Sequence, residues 1–215
     1  MIKNADQRQS FKLKIVLASW STFALLTLLV MMGLTRSLDV CVVQAVPEFN
    51  IQIDLIFRVI SFMASAPLVF LIASITFIYK FVSGASVKRE SALLLSLLIV
   101  STLTVIVKYV TAIPRPRYMG SPLFTFKYSY PSGHTSRFTV LCYYLPRKKY
   151  EQALLLFMLF LVSTSRIMLL QHYFSDVLGG LLLGLAISVS IEVTSAYWLK
   201  YLTQLLRKLK LNILA

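Results

Sequence analysis

Apolar runs of bilayer length divide this chain, and that spacing restricts what it can fold into. The first run, 15–34, contains no charged residue. Further runs follow at 59–79, 91–113, 132–145, 153–170 and 177–199. A helix rises 1.5 Å per residue, so about 20 residues cross the ~30 Å of hydrocarbon in a bilayer. Inside lipid a backbone must satisfy its own polar groups, and continuous apolar runs of this length do so as helices. The fold class expected is therefore all-α, a six-transmembrane helical bundle. The composition agrees: 58% of the 215 residues are hydrophobic and only 14% are charged, and a mean hydropathy of +0.77 excludes an ordinary water-soluble domain. With no repeat or linker in view, residues 1–215 are expected to form one membrane-embedded domain. The first run lacks a small-residue cleavage site and is expected to stay as an anchor.

The formal net charge is +14. Such a charge can signal nucleic acid, but here the basic residues flank apolar runs, so their positions matter more than their sum. Lys3, Arg8, Lys12 and Lys14 precede the first run, and Lys80, Lys88 and Arg89 join the second to the third. Arg147, Lys148 and Lys149 join the fourth to the fifth, and Lys200, Arg207, Lys208 and Lys210 follow the sixth. The positive-inside bias puts all four groups, and with them both termini, in the cytoplasm. The tail 201–214 spaces leucines helically opposite Lys and Arg and is expected to lie on the inner membrane surface, against anionic headgroups. Cys41, read as a loop residue, and Cys142, in an apolar run, support neither a disulfide framework nor a cysteine metal site. Pro67 falls within the second run, where lipid tolerates it. Gly180 and Gly184 make a small-residue face that reads as helix packing.

Three polar stretches then share the non-cytoplasmic end: 108–117, 130–134 and 165–176. Ionisable groups at membrane depth are costly and mark a site or an internal pairing. Lys108, Arg115 and Arg166 sit at run ends with Asp176 as the single acid in the three stretches. Three cations gathered in this way suit an anion with several oxygens, since the arginine fork binds phosphate bidentately and lysine adds a point charge. Taken singly, each is equally a snorkelling residue. Pro131, Ser132 and Gly133 start a helix whose free amides and positive dipole end form an anion cradle. The chain's two histidines, His134 and His172, both fall in these stretches. Asp176 follows His172 by four, so on a shared turn its carboxylate can orient one ring nitrogen and leave the other outward, as a nucleophile or base.

Lys108 with Arg115-Pro116, then Pro131-Ser132-Gly133-His134, then Ser165-Arg166 with His172 and Asp176, resemble the three signature motifs of the type 2 phosphatidic acid phosphatase family of membrane lipid phosphatases. The resemblance covers 108–176. It implies that His172 attacks phosphorus to form a phosphohistidine while Asp176 holds its tautomer. His134 would protonate the leaving oxygen and then activate water. Lys108, Arg115, Ser132, Gly133 and Arg166 would hold the phosphoryl oxygens. No metal or other cofactor is implied, nor an obligate protein partner or nucleic acid. One histidine starting neutral and the other protonated implies a bell-shaped pH–rate profile. Arg137, one turn beyond His134, either reaches a second phosphate or pairs with a carbonyl. Arg117 and Lys127 lie in a loop too short for a lid, which directs a lipid tail sideways between helices. Extra cations and a compact chain favour a polyprenyl pyrophosphate. Phosphatidic acid, phosphatidylglycerophosphate, a lipid A phosphate and soluble pyrophosphate stay open. Two other classes are weighed: a haem protein using the two histidines, and a non-enzymatic anion transporter, which needs polar residues across the whole membrane.

Overall fold

The computed structural model describes residues 2–49, 51–118 and 128–208. Among the described residues the chain is all-α, its single extended feature being an antiparallel bridge between Pro114 and Tyr128. The helices are α1 (Ile2–Met31), α2 (Arg36–Gln44), α3 (Ile51–Phe62), α4 (Ala66–Val82), α5 (Lys88–Thr111), α6 (Gly133–Tyr144), α7 (Lys149–Met168), α8 (Phe174–Val193) and α9 (Ser195–Lys208), with one 3-10 turn at Pro116–Tyr118. Five stretches are long and apolar enough to cross a membrane: Gln9–Met31, Ile51–Val82, Lys88–Thr111, Lys149–Met168 and Phe174–Val193. Large apolar side chains such as Leu17, Leu25, Leu71 and Phe160 point outward and are more than half exposed, as the wall of a membrane protein requires. The fourth apolar run becomes α6, only 12 residues long. It spans about 18 Å and packs against α4, α5, α7 and α8.

Several boundaries differ from those read in the sequence. Cys41 lies in a helix, α2, rather than a loop. The second run is not one rod: α3 ends at Phe62, and Pro67 stands in the first turn of α4, where its missing N–H costs no hydrogen bond. Near the break, the carbonyl of Ala64 accepts from Arg137 Nη2 at 3.4 Å. The last run stops at Val193, where Thr194 turns its hydroxyl back onto the Ser190 carbonyl at 2.7 Å, and α9 starts anew. Lys210 and the end of the tail lie outside the described residues.

α8 is the central helix, in contact with α1, α5, α6 and α7, and glycine brings α6 against it. A Cβ built on Gly180 would stand 2.6 Å from the Ser132 carbonyl oxygen, and one on Gly184 would stand 2.6 Å from that of Ser136. A Cβ on Gly179 would meet the Tyr130 ring at 2.6 Å. That ring, fully buried, stacks on Phe23 of α1 at 6.3 Å and shares a hydrogen bond with Thr27 at 2.9 Å.

The end of the bundle opposite the histidines is tied by ion pairs. Glu192, an acid inside an apolar run, takes Lys12 Nζ at 2.7 Å and the Tyr143 hydroxyl. Arg147 reaches Glu90 at 2.5 Å, and Arg89 donates to the Pro146 carbonyl at 2.8 Å. Because the neighbouring backbone cannot retreat, Gly184→Ala should cost about 1–3 kcal/mol, read as a lower thermal midpoint in detergent. An unchanged or raised midpoint, as alanine's helix propensity alone would give, would contradict the close approach.

Candidate active site

Backbone hydrogen bonds join the three polar stretches. Ser129 N donates to Ile113 O at 2.8 Å, Arg117 N to Leu170 O at 3.0 Å, and Ser132 N to Asp176 O at 2.9 Å. The segments after α5, before α6 and between α7 and α8 therefore meet at one end of the bundle.

α5 stops where Ala112 adopts φ 49°, its amide returning to Lys108 O at 2.9 Å. The ammonium of Lys108 donates to the carbonyls of Tyr128 at 2.9 Å and Ser129 at 2.5 Å. Two of its three protons thus brace the loop ahead of α6. Arg115 Nη1 donates to Gln171 Oε1 at 2.5 Å. α6 begins at Ser132, which holds the N-cap position but makes no side-chain cap. Its hydroxyl accepts from Thr135 Oγ1 at 3.0 Å instead. The amides of the first turn, from Gly133 onward, have no intrahelical acceptor.

Two residues past the end of α7, Leu170 takes φ 51°, and the amides of Gln171 and His172 return to Arg166 O at 3.0 and 3.2 Å. That turn ties His172 to Arg166. The Arg166 side chain is 8% exposed; its Nη1 donates to Ser61 Oγ at 2.6 Å, while Nε has no hydrogen-bond partner. His172 is 1% exposed, and its Nδ1 lies 3.1 Å from Asp176 Oδ2. The pair does not share a helical turn as the four-residue spacing suggested. His172 precedes α8, and Asp176 in the first turn reaches back to it while accepting Tyr173 N at 2.8 Å. Burial first, then the charges of Lys108, Arg166, Arg115 and His134, push His172 well below the usual histidine range. Its imidazole is therefore neutral at ordinary pH, with Nε2 turned away from Asp176.

A cavity of ≈ 290 Å³ opens at this end, and His134, Arg166, Arg117, Gln171, Ser61 and Arg58 are among its walls. Arg137, by contrast, spends Nη2 on the Ala64 carbonyl, the carbonyl pairing of its two expected roles. Lys127 lies outside the described residues. The sequence reading missed four residues here. Gln171 was skipped although it adjoins His172. Arg58, held by Asp54 at 2.5 Å in α3, and Ser61 come from a segment whose approach nothing in the spacing announces. Asp39 of α2 is 5% exposed and accepts Ser175 N at 2.9 Å and Ser175 Oγ at 2.7 Å, capping the start of α8 from another helix. Its clue was an acid beside a span end. Among the described residues no three His, Cys, Asp or Glu side chains gather as a metal-ligand group.

Residues 90–201 match the family profile of the PAP2 superfamily. The chain belongs to that superfamily. No curated protein sequence is a significant match. Among solved structures, this PAP2 chain is similar to the transmembrane PAP2-type phosphatidylglycerolphosphate phosphatase of Bacillus subtilis, with a TM-score of 0.69 and 21% identity over 82% of this chain and 94% of that one. It is also similar to LpxE of Aquifex aeolicus, with a TM-score of 0.59 and 22% identity over 73% of this chain and 93% of that one. The PAP2 fold is thus shared with membrane proteins at low identity.

Asp39→Ala should lower kcat at least tenfold, about 1.4 kcal/mol, with KM nearly unchanged, because Ser175 and the start of α8 lose their anchor. Asp39→Asn, which keeps an acceptor for one of the two bonds, should recover part of the loss. Full activity in Asp39→Ala would show that α8 orients Asp176 unaided.

Proposed function

We propose that this protein is a membrane lipid phosphatase that hydrolyses a terminal phosphate through a phosphohistidine on His172, with a polyprenyl pyrophosphate as its substrate. The observation that carries this reading is the shared wall of the ≈ 290 Å³ cavity, where His134 and Arg166 stand with Gln171, the residue next in chain to His172, whose turn is tied back to the Arg166 carbonyl. The lone pair of His172 Nε2 attacks phosphorus, and the bond to the leaving oxygen breaks. The bound phosphate's negative charge offsets the cations that otherwise disfavour a charged His134, and His134, protonated in that complex, gives the leaving oxygen its proton. Water, deprotonated in turn by His134, then attacks the phosphorus–nitrogen bond, releasing inorganic phosphate and neutral His172. Asp176 stabilises the charge on His172. Arg166, Arg115, the remaining proton of Lys108, Ser132 and the amide of Gly133 hold the phosphoryl oxygens as charge spreads over them.

The substrate reading rests on two cations outside the motif positions, Arg117 and Arg58, in the same cavity wall. Arg117, and Arg58 although Asp54 already answers it, suit a second phosphate better than the neutral remainder of phosphatidic acid. Phosphatidic acid, phosphatidylglycerophosphate and a lipid A phosphate are the competing substrates. The whole chain 1–215 acts as one domain and needs no metal. α6 serves as the sixth, shortened crossing, the basic loops and both termini face the cytoplasm, and the cavity opens on the extracytoplasmic side.

Detergent-solubilised protein in EDTA should release phosphate from a polyprenyl pyrophosphate with higher kcat/KM than from the monophosphate lipids. His172→Ala should abolish release, and Arg166→Ala should reduce kcat/KM by about 3 kcal/mol. Joint replacement of Arg117 and Arg58 by Gln should lower the diphosphate rate more than the monophosphate rate. Release surviving in His172→Ala would end the phosphohistidine reading, and a preference for monophosphates would end the substrate reading. For topology, the exposed Cys41 on the helix that holds Asp39 should react, in intact cells carrying a Cys142→Ala chain, with a membrane-impermeant maleimide. Protection until the cells are lysed would reverse the orientation.

A further inference from the structure

A second cavity, of ≈ 260 Å³, opens between α4, the start of α5 and the end of α6. Measured along α5 it lies about 27 Å from Lys108, so it sits at the membrane face opposite the histidines. Its walls include Lys80, Arg89, Arg147 and Glu90, with Ile75 and Tyr79 on the side that faces lipid, 56% and 69% exposed. The cations there have partial partners. Arg147 Nη2 holds Glu90 Oε1 at 2.5 Å, and Arg89 Nη2 holds the Pro146 carbonyl at 2.8 Å. Glu90 itself is 5% exposed, and its second oxygen, Oε2, is buried with no hydrogen-bond partner.

Two demands follow from that inventory. Three cations against Glu90 in this wall, with Glu192, itself paired with Lys12, also acting on Arg89, still leave positive charge in excess, which favours an anion. A buried carboxylate oxygen without a donor is costly, more so than a neutral acceptor would be. One molecule meets both demands if it carries a phosphate and, a few Å away, an N–H or O–H donor. The outward-facing Ile75 and Tyr79, set at the depth of a headgroup with lipid beside them, add an apolar track for acyl chains. We propose that this cavity is a non-catalytic phospholipid site in the leaflet opposite the His134–Arg166 cavity, selective for a phosphodiester headgroup that also donates a hydrogen bond, as ethanolamine and glycerol headgroups do. The phosphate lies against Lys80 and Arg147, and the headgroup donor reaches Glu90 Oε2. This site is independent of the phosphatase reading, since none of its residues belongs to the histidine cavity.

The headgroup chemistry makes the test sharp, because choline supplies a phosphodiester and a cation but no N–H or O–H. Full-length protein, stripped of lipid in detergent, is titrated with dioleoyl phosphatidylethanolamine, phosphatidylglycerol and phosphatidylcholine, with binding read by native mass spectrometry and by thermal midpoint. The ethanolamine and glycerol lipids are expected to bind about tenfold more tightly than the choline lipid, equivalent to ~1.4 kcal/mol. Lys80→Gln should weaken both favoured lipids severalfold while leaving phosphate release in the same preparation unchanged. Chainless glycerophosphoethanolamine and inorganic phosphate should give no comparable shift; an equal shift from either would make this a soluble-anion site and overturn the lipid assignment. Equal binding of the choline lipid would overturn the role of Glu90. Unchanged lipid binding in Lys80→Gln would overturn the location.

Discussion

The site depends first on three backbone hydrogen bonds: Ser129 to Ile113, Arg117 to Leu170 and Ser132 to Asp176. Irregular chain at the end of a membrane bundle cannot leave its amides and carbonyls unpaired where lipid competes with water. Pairing these segments with one another solves that problem and brings the polar residues together as a by-product. α8 makes it possible, because its glycines let the start of α6 come close enough for the Ser132 amide to reach Asp176. Both helices that deliver cations, α5 and α7, are followed within two residues by a non-glycine residue with positive φ, Ala112 and Leu170. Each such residue costs on the order of 1 kcal/mol, a cost the surrounding contacts must cover, and sites that hold a fixed geometry carry strain of this kind.

Arg58 in the cavity wall is answered by Asp54, but four other cations at this end rest on neutral partners. Lys108 rests on two carbonyls, Arg115 on an amide oxygen, Arg166 on a serine and Arg137 on a carbonyl. Each orients its side chain without cancelling its charge. Of the carboxylates close by, Asp54 is committed to Arg58, Asp39 to Ser175 and Asp176 to His172 and Tyr173. The cluster therefore keeps a surplus positive field, which suits the phosphoryl group proposed as its ligand. The same field, together with burial, keeps the His172 imidazole neutral, the form a nucleophile requires.

Much of this was legible in the sequence because it is local. Apolar runs of bilayer length gave the helices, and the spacing of Lys108, Arg115, His134, Arg166, His172 and Asp176 gave the cluster. What escaped was contact between elements. Nothing in the spacing says that Asp39 reaches across to Ser175, that Ser61 meets Arg166, or that Arg58 shares a wall with His134. The break between α3 and α4 was half visible, since Pro67 marked it, but its consequence, the Ala64 carbonyl received by Arg137, depends on how α6 packs. The His172–Asp176 pair was read from the right residues by the wrong geometry: the spacing suggested a shared turn, whereas a helix start folds the carboxylate back onto a loop histidine.

Comparing the two ends of the bundle shows why cation counting alone would misplace the proposed catalytic cavity. Arg89, Arg147 and Lys12 at one end are as numerous as Lys108, Arg115 and Arg166 at the other. They differ in their partners. Glu90 and Glu192 answer Arg147 and Lys12 with full charge, so most of that end serves to tie helices together, and the residual demand falls on one carboxylate oxygen. At the histidine end the partners are dipoles, and the demand falls on the cations. A site that binds an anion is marked by basic side chains that are oriented but not neutralised, and among the described residues the end holding His134 and His172 meets that condition most fully.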